Sequence, residues 1–226
     1  MRSAAQLLFA GYFLLKAIFD SSSPLITLCY LGIMTLIAAL EATGRQTHTY
    51  ENHFRHALYA TIVGGLGTGL FSTLTVFCPK PWYDPKVVIP TLGMLIGNCV
   101  SGQAVSLDRF LSDVTDKKHE VETRLAFGAS KWESVRMFLR SALLAGLTPL
   151  MNMMNIVGVV SLPGMMTGQL LGGADPLVAA QYQMAILWLI CGASCLSTQV
   201  SLILAVNHVI FNKNQYFSLS LISTKS

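Results

Sequence analysis

Polar side chains set inside apolar segments are the residues of this chain that could carry chemistry. At membrane depth such groups face the protein interior or water rather than lipid. Pro163 and Gly164 should interrupt a helix, and an interrupted helix leaves backbone groups free to hold a substrate or an ion. We therefore expect a substrate path lined by amide side chains and by the residues around this interruption: Asn98, Gln103, Asn152, Asn155, Ser161, Pro163, Gly164 and Met165.

Signals for catalysis or for a bound metal are weak. The G-x-x-x-x-G-K-[ST] phosphate loop is absent, so the polypeptide cannot be its own ATPase, and we expect no enzyme and no bound cofactor. His53 and His56 lie near Glu51 at spacings that could hold a metal, but a solvated loop is the more common meaning of this pattern. Methionine thioethers at 151–166 would suit a soft cation, whereas core filling is their more common role. Any metal stays unidentified.

The composition is that of an integral membrane protein. The 226 residues are 53% hydrophobic and only 12% charged, whereas a soluble domain is roughly a quarter charged. The mean hydropathy is +0.55, and the apolar residues come in long blocks, which predicts an all-α, multi-pass fold in a lipid bilayer. The net charge of +4 is spread over loops, which argues against nucleic-acid binding.

About 20 apolar residues are needed to cross the hydrocarbon core as a helix. Six segments approach or exceed this length: 4–19, 24–43, 57–78, 87–106, 142–160 and 177–211. We therefore predict about six transmembrane helices in a single transmembrane domain, 1–211. The remaining residues, 212–226, are polar and serine-rich and should form a loosely ordered tail.

The distribution of Lys and Arg predicts the orientation in the membrane. If the segment 107–140 is cytosolic, twelve of the fifteen Lys and Arg residues fall inside, and only Lys16, Lys80 and Lys86 fall outside. Both termini are then cytosolic. The membrane that holds the protein is not specified by this argument.

The segment 107–140 is a polar island with seven of the fifteen Lys and Arg residues and six of the eleven Asp and Glu. Gly128 should end a helix, and Ser130 with Glu133 has the spacing of a capping box that begins the next one. Apolar residues recur at helical spacing on both sides of this break: Leu107, Phe110, Leu111, Val114, Val121 and Leu125 before it, and Trp132, Val135 and Leu139 after it. The balanced charges of this helix–Gly–helix elbow favour a protein partner over a lipid surface.

Glu122, Gly128 and Ala129 match the E-A-A-x-x-x-G coupling loop of ABC transporter permeases, with Thr123 and Arg124 at the two alanine positions. The stretches 90–98 (PTLGMLIGN) and 157–168 (VGVVSLPGMMTG) resemble the FetB-type permeases. These are bacterial iron exporters, and the plant aluminium-sensitivity membrane proteins are their relatives. The resemblance extends from residue 2 to about residue 211.

The resemblance implies a permease subunit that forms a homodimer and is driven by a separate ABC-type ATPase, which uses ATP and Mg. The ATPase would dock on the elbow, at Glu122, Gly128, Ala129, Ser130 and Trp132. The resemblance suggests an exporter of a metal ion, iron first, or of a small solute such as a nucleotide sugar, although the sequence itself fixes neither the substrate nor the direction of transport. The family tends to carry an Asp and a Lys where Asn152 and Asn155 stand, and one more span ahead of Arg2. A membrane scaffold or sensor that merely recruits a cytosolic partner is the main alternative; the elbow argues against a third, an ungated channel.

Overall fold

Helices make up most of the structure, a computed structural model that describes residues 23–44, 46–209 and 222–224. The α-helices are α1 (Pro24–Gly44), α2 (His53–Thr61), α3 (Thr68–Ser72), α4 (Pro85–Asp116), α5 (Lys118–Ala126), α6 (Lys131–Ile156), α7 (Gly164–Leu171) and α8 (Pro176–Val209). A π-helical stretch, Ile62–Gly67, joins α2 to α3, and a second, Thr73–Phe77, continues α3, which makes one long helical rod. Two short strands, β1 (His48–Tyr50) and β2 (Ile222–Thr224), pair antiparallel.

Four helices among the described residues are long and apolar enough to cross a membrane: Pro24–Gly44, His53–Phe77, Pro85–Asp116 and Pro176–His208. They correspond to four of the six predicted spans and confirm the all-α membrane class. The predicted span 4–19 lies outside the described residues. The predicted span 142–160 falls mostly in α6, which is not one of the four, so the count of six stays a prediction.

Two helix bounds differ from the sequence prediction. The predicted fourth span ended near residue 106, but α4 continues to Asp116. Its 32 residues are about 48 Å long at 1.5 Å per residue, so roughly 18 Å extend beyond a hydrocarbon core of about 30 Å. The polar island therefore begins as a direct extension of a membrane helix.

The sequence predicts a helix interruption at Pro163 and Gly164, but in the structure the helix ends earlier in the chain. Helix α6 ends at Ile156, and Gly158 follows in a left-handed conformation with φ of +86°. The Gly158 N–H donates to the carbonyl of Ser161 at 2.9 Å, which closes a tight turn. Pro163 stands just before α7, a position that its fixed φ favours. The chain breaks where a glycine supplies the conformation that other residues avoid.

Helix α4 is the centre of the bundle, and it is the most buried of the four membrane-length helices. It packs against α8, α6 and α1. The close approach of α6 to α4 depends on glycine, since a Cβ on Gly146 would lie 2.7 Å from the carbonyl oxygen of Gly102. The two backbones therefore touch near the middle of the α4–α6 contact.

The loop before α2, the last strand and the start of the polar island lie at one end of the molecule. Strand β1 pairs with β2, with Thr49 opposite Ser223. The backbone N–H and the hydroxyl of Thr47 both donate to Oδ1 of Asp108, at 2.8 and 2.6 Å. The tail was expected to be loosely ordered throughout, and this is wrong for Ile222–Thr224, because their backbone bonds to β1 hold them in place.

Candidate functional site

The elbow between α5 and α6 is built on a defined helix end. Gly128 has φ of +88°, in the left-handed region that favours glycine. Its N–H donates to the carbonyl of Leu125, and the N–H of Ala129 donates to that of Arg124, both at 3.0 Å. These two bonds form a Schellman motif, which satisfies the last carbonyls of α5. The chain thus reverses within a few residues.

A capping box begins α6 on the other side of the turn. The backbone N–H of Ser130 donates to Oε2 of Glu133 at 2.8 Å, and the N–H of Glu133 donates back to the Ser130 hydroxyl at 3.4 Å. The hydrogen bonds from Ser130 lower the pKa of the Glu133 carboxyl. This is the reciprocal pair that the sequence spacing predicts, and it fixes the first turn of α6.

The inner side of the elbow is fixed to the bundle by an apolar cluster. Val121 of α5 is fully buried and belongs to the same cluster as Val135 and Phe138 of α6. Members from other elements are Tyr50, Leu107, Phe110, Leu111, Val114, Leu202, Ala205 and Val206. Leu125 and Leu139 pack against it, so the six apolar positions expected before Gly128 all lie in or against this cluster. The elbow is therefore anchored to α4, α6 and α8 rather than lying loose on a surface.

The outer side of the elbow exposes two aromatic rings. Phe127 is 88% exposed and Trp132 is 41% exposed. Trp132 was expected on the apolar stripe with Val135 and Leu139, and it is more exposed than either of them. Sequence reasoning missed Phe127, although an aromatic residue directly before a helix-ending glycine was the available signal. Exposed aromatic residues of this kind are typical contact anchors in protein interfaces.

The elbow also carries charged side chains of both signs. Glu122 is an exposed residue on α5, and its carboxylate lies 3.5 Å from Lys118 Nζ and 3.7 Å from His119 Nδ1. Exposed pairs of this kind contribute about 0.5 kcal/mol each, so they leave the carboxylate available to a partner. A cleft of about 490 Å³ beside them is lined by Arg124, Glu133, Arg136, Met137 and Arg140. The surface can therefore receive acidic as well as basic groups.

The residues predicted to line a substrate path do not converge in one copy of the chain. Asn98 lines a groove of about 280 Å³ between α4 and α6. Asn152 and Asn155 are exposed on α6 and do not line that groove. In the 157–165 segment, Ser161 and Gly164 are exposed, Pro163 is half-buried, and Met165 packs against the cluster around Leu95 and Ile186.

Gln103 is buried inside the bundle, away from the groove. Its Nε2 donates to Oγ1 of Thr61 at 3.0 Å and also to the hydroxyl of Ser197. The Ser197 hydroxyl in turn donates to the carbonyl of Ala60 at 3.0 Å. The side chain therefore ties α4 to α2 and α8.

His53 and His56, which were expected in a solvated loop, belong to an aromatic cluster. The ring of His53 stacks on Tyr50 with centroids 4.8 Å apart, and the Tyr50 hydroxyl lies 3.1 Å from His56 Nδ1. His208 of α8 joins them, 5.3 Å from His56. Burial raises the pKa of Tyr50. Within the described residues, no three His, Cys, Asp or Glu side chains are arranged to hold a metal ion.

The chain matches a family model, "Uncharacterised protein family (UPF0014)", over residues 1–210. The UPF0014 membrane protein slr1647 of Synechocystis is 35% identical over 217 residues, which cover 95% of this chain and 82% of that protein. The protein ALUMINUM SENSITIVE 3 of Arabidopsis thaliana is 33% identical, covering 88% and 71%. The probable iron export permease protein FetB of Escherichia coli is 26% identical, covering 88% and 75%. No solved structure matches the chain.

Proposed function

This chain belongs to the UPF0014 family of membrane proteins, and from that premise we propose that it is the permease subunit of an ATP-driven transporter of the ABC type. A separate ATPase subunit docks on the elbow and hydrolyses ATP with Mg, and two copies of the permease form the transport unit. The resemblance to FetB-type permeases that the sequence indicated is confirmed by these relatives.

The observation that carries this proposal is the construction of the elbow. Its outer side exposes Phe127 and Trp132, and its inner side buries Val121 against α6. The turn between them is held by the Schellman bonds and the capping box. A push on the exposed side would therefore move α5 and α6 together, since neither can rotate without breaking buried contacts. A surface helix with a purely lipid-binding role has no need of such anchoring.

Metal ions, with iron first, are the proposed substrate, and the transport direction is outward. The supports are the name of the relative from Escherichia coli, a probable iron export permease, and the name of the relative from Arabidopsis thaliana, which refers to aluminium sensitivity. A small solute such as a nucleotide sugar is the alternative substrate. Transport of either would proceed in a multi-pass membrane protein whose termini are cytosolic.

The test is to purify the tagged chain in mild detergent and measure ATP hydrolysis by the proteins that elute with it. A co-purifying ATPase whose activity depends on the permease is the expected result. Glu122→Ala should reduce that dependence, because it removes one of the two exposed carboxylates of α5 while leaving the apolar cluster intact.

Glu51→Ala, which removes an exposed carboxylate from the loop before α2, is the matched control and should change nothing. A cytosolic protein that binds the elbow without any change in ATP hydrolysis would contradict the permease and favour the scaffold or sensor. ATP-independent flux through the purified chain would favour a channel instead.

A further inference from the structure

A continuous groove runs along one face of α4 against α6. Its inner part, of about 280 Å³, includes Asn98, Ser101 and Val105. Its outer part, of about 410 Å³, shares Ser101 and Val105 and adds Asp108 and Ser112. These five residues are spaced three and four apart, which places them on one helix face. From the first to the last the groove is about 21 Å long at 1.5 Å per residue.

The polarity of this face differs from that of the outward face of α1. The exposed large side chains of α1 are aliphatic: Leu25, Ile26, Leu28, Ile33, Leu36, Ile37 and Leu40. Such a face suits lipid. Polar groups at membrane depth face water or protein, so the amide and hydroxyl on α4 indicate that the groove is not lined by lipid tails. Beside Asn98, no atom of the described residues lies within 4 Å of the position that a Cβ on Gly97 would take.

The polar groups that line the groove present acceptors. Asn98 uses its Nδ2 on the carbonyl of Met94 at 2.8 Å, which leaves its Oδ1. Ser101 donates its hydroxyl to the carbonyl of Gly97 at 3.2 Å and so keeps its lone pairs. On the α6 side, Pro149 has no N–H, so the carbonyl of Ala145 lacks its usual helical donor. The groove thus offers an amide oxygen, a hydroxyl oxygen and a backbone carbonyl.

Among the described residues, those that line the outer mouth of the groove, together with the side chain paired to them, carry a net negative charge. Asp108 accepts both of its bonds from Thr47 on Oδ1, which leaves Oδ2 available. Arg109 also lines the mouth, but its Nε bonds Asp113 at 2.9 Å, so its charge is matched. Two carboxylates against one guanidinium leave one negative charge. Such a mouth attracts cations and repels phosphorylated solutes.

We propose that this groove is a binding path for a hydrated divalent cation, held in turn by Asp108, by Ser101 with the Ala145 carbonyl, and by Asn98. Oxygen ligands of this kind suit hard cations. The single carboxylate makes binding weak, and a transport path needs ions that can leave. As a statement about transport, the inference rests on the proposed function; as a statement about binding, it does not. It selects a cation over a nucleotide sugar.

Mn²⁺ binding to the full chain in nanodiscs of neutral lipid tests the proposal, because free Mn²⁺ has an electron paramagnetic resonance signal that is lost on binding. The wild type should bind in the micromolar to millimolar range, and Asp108→Asn should weaken binding roughly 30-fold, the effect in water of one carboxylate charge on a divalent ion about 4 Å away. Asn98→Leu should weaken binding at the inner end. Pro149→Ala should do likewise, because it returns an N–H to the Ala145 carbonyl. Glu51→Gln, which makes the same charge change at the same end of the molecule but outside the groove, is the control.

Equal affinities for wild type, Asp108→Asn and Asn98→Leu overturn the proposal, as does a folded wild type that binds no Mn²⁺. Binding of UDP-glucose that Asp108→Asn leaves unchanged or strengthens, measured by calorimetry on the same nanodiscs, also overturns it. None of these assays contains the ATPase. A wild-type chain that binds no Mn²⁺ but stimulates the ATPase would therefore exclude the groove as a cation site and leave the proposed function intact. A wild-type chain that binds Mn²⁺ but does not stimulate the ATPase would support the cation site and contradict the proposed function.

Discussion

Substitution of Gly128 tests the elbow well, because a side chain at this position would strain the backbone without a steric clash. No atom of the described residues lies within 4 Å of the position that its Cβ would take, so a side chain there meets open space among them. Its φ of +88° is nevertheless costly for most residues. For an L-residue the left-handed conformation costs about 1–2 kcal/mol, and Asn tolerates it better than Ala or Leu. Gly128→Leu should therefore loosen the turn, and Gly128→Asn should largely preserve it.

The readout of this loosening is amide hydrogen exchange at Ala129, whose N–H donates to the carbonyl of Arg124. A cost of about 1–2 kcal/mol corresponds to a roughly 5- to 30-fold increase in local opening and hence in exchange rate. Gly128→Leu should also uncouple ATP hydrolysis from transport while expression is unchanged. Gly128→Asn should stay close to wild type in both assays.

Equal exchange rates for the Leu and Asn variants would refute the reasoning, because both side chains enter open space and differ mainly in their tolerance of positive φ. Faster exchange with unchanged transport would show that the turn is strained as argued but that its rigidity does not serve coupling. Residues of the α1–α2 loop should keep wild-type exchange in both variants and report that the bundle is intact.

Three further predictions concern single side chains. Phe127→Ala should weaken binding of the separately purified ATPase at least tenfold without lowering the thermal stability of the permease, because the ring is 88% exposed; unchanged affinity would exclude the ring as an anchor. Gln103→Leu should cost about 1–3 kcal/mol, since it leaves Thr61 and Ser197 without their buried donor, and an unaltered unfolding temperature in detergent would argue against the three-helix tie. Glu133 has a lowered pKa in the fold, so the capping box should contribute fully above the ordinary Glu pKa of about 4.3 and be lost as the pH falls through the lower folded value. Hydrogen exchange in the first turn of α6 measures this, and Glu133→Gln should remove the pH dependence; if it persists, another group is responsible.

Local rules predicted the capping box of α6 and the apolar positions before Gly128 well, and the membrane spans less well. Ser130 and Glu133 form their capping box because its geometry depends only on a spacing of three residues. The apolar positions before Gly128 follow from helical periodicity alone. The continuation of α4 to Asp116 was also visible, since no Gly or Pro interrupts residues 103–116. The amphipathic helix expected from Leu107 to Leu125 is divided in the structure, since its first part belongs to α4 and its second part is α5.

The groove could not be predicted in the same way, because lipid and protein interior are equally apolar. In a soluble helix the apolar stripe shows which face is buried, but α4 is apolar on most sides. No local feature of the sequence distinguishes Gln103, which links three helices by hydrogen bonds, from Asn98, which lines the groove. Asn152 and Asn155 share a face of α6, yet only the packing of α6 on α4 shows that this face lies outside the groove.

The α4–α6 pair links the elbow to the groove through two stiff helices. Helix α4 leads into the elbow and α6 leads out of it, and the same two helices form the groove walls. Their backbones touch where Gly146 meets Gly102, so a displacement of α6 at the elbow turns about that contact. Residues on the elbow side of Gly146, including Ala145, then move opposite to Pro149 and Met153 beyond it. Under the proposed function, one push at Phe127 would open one part of the groove while closing the other, which is the behaviour that alternating access requires.

Replacing Gly146 with Ala, whose methyl would meet the Gly102 carbonyl, should therefore hold α6 away from α4 and disturb transport more than docking of the ATPase. Normal transport in that variant, measured beside unchanged ATPase binding, would place the pivot elsewhere.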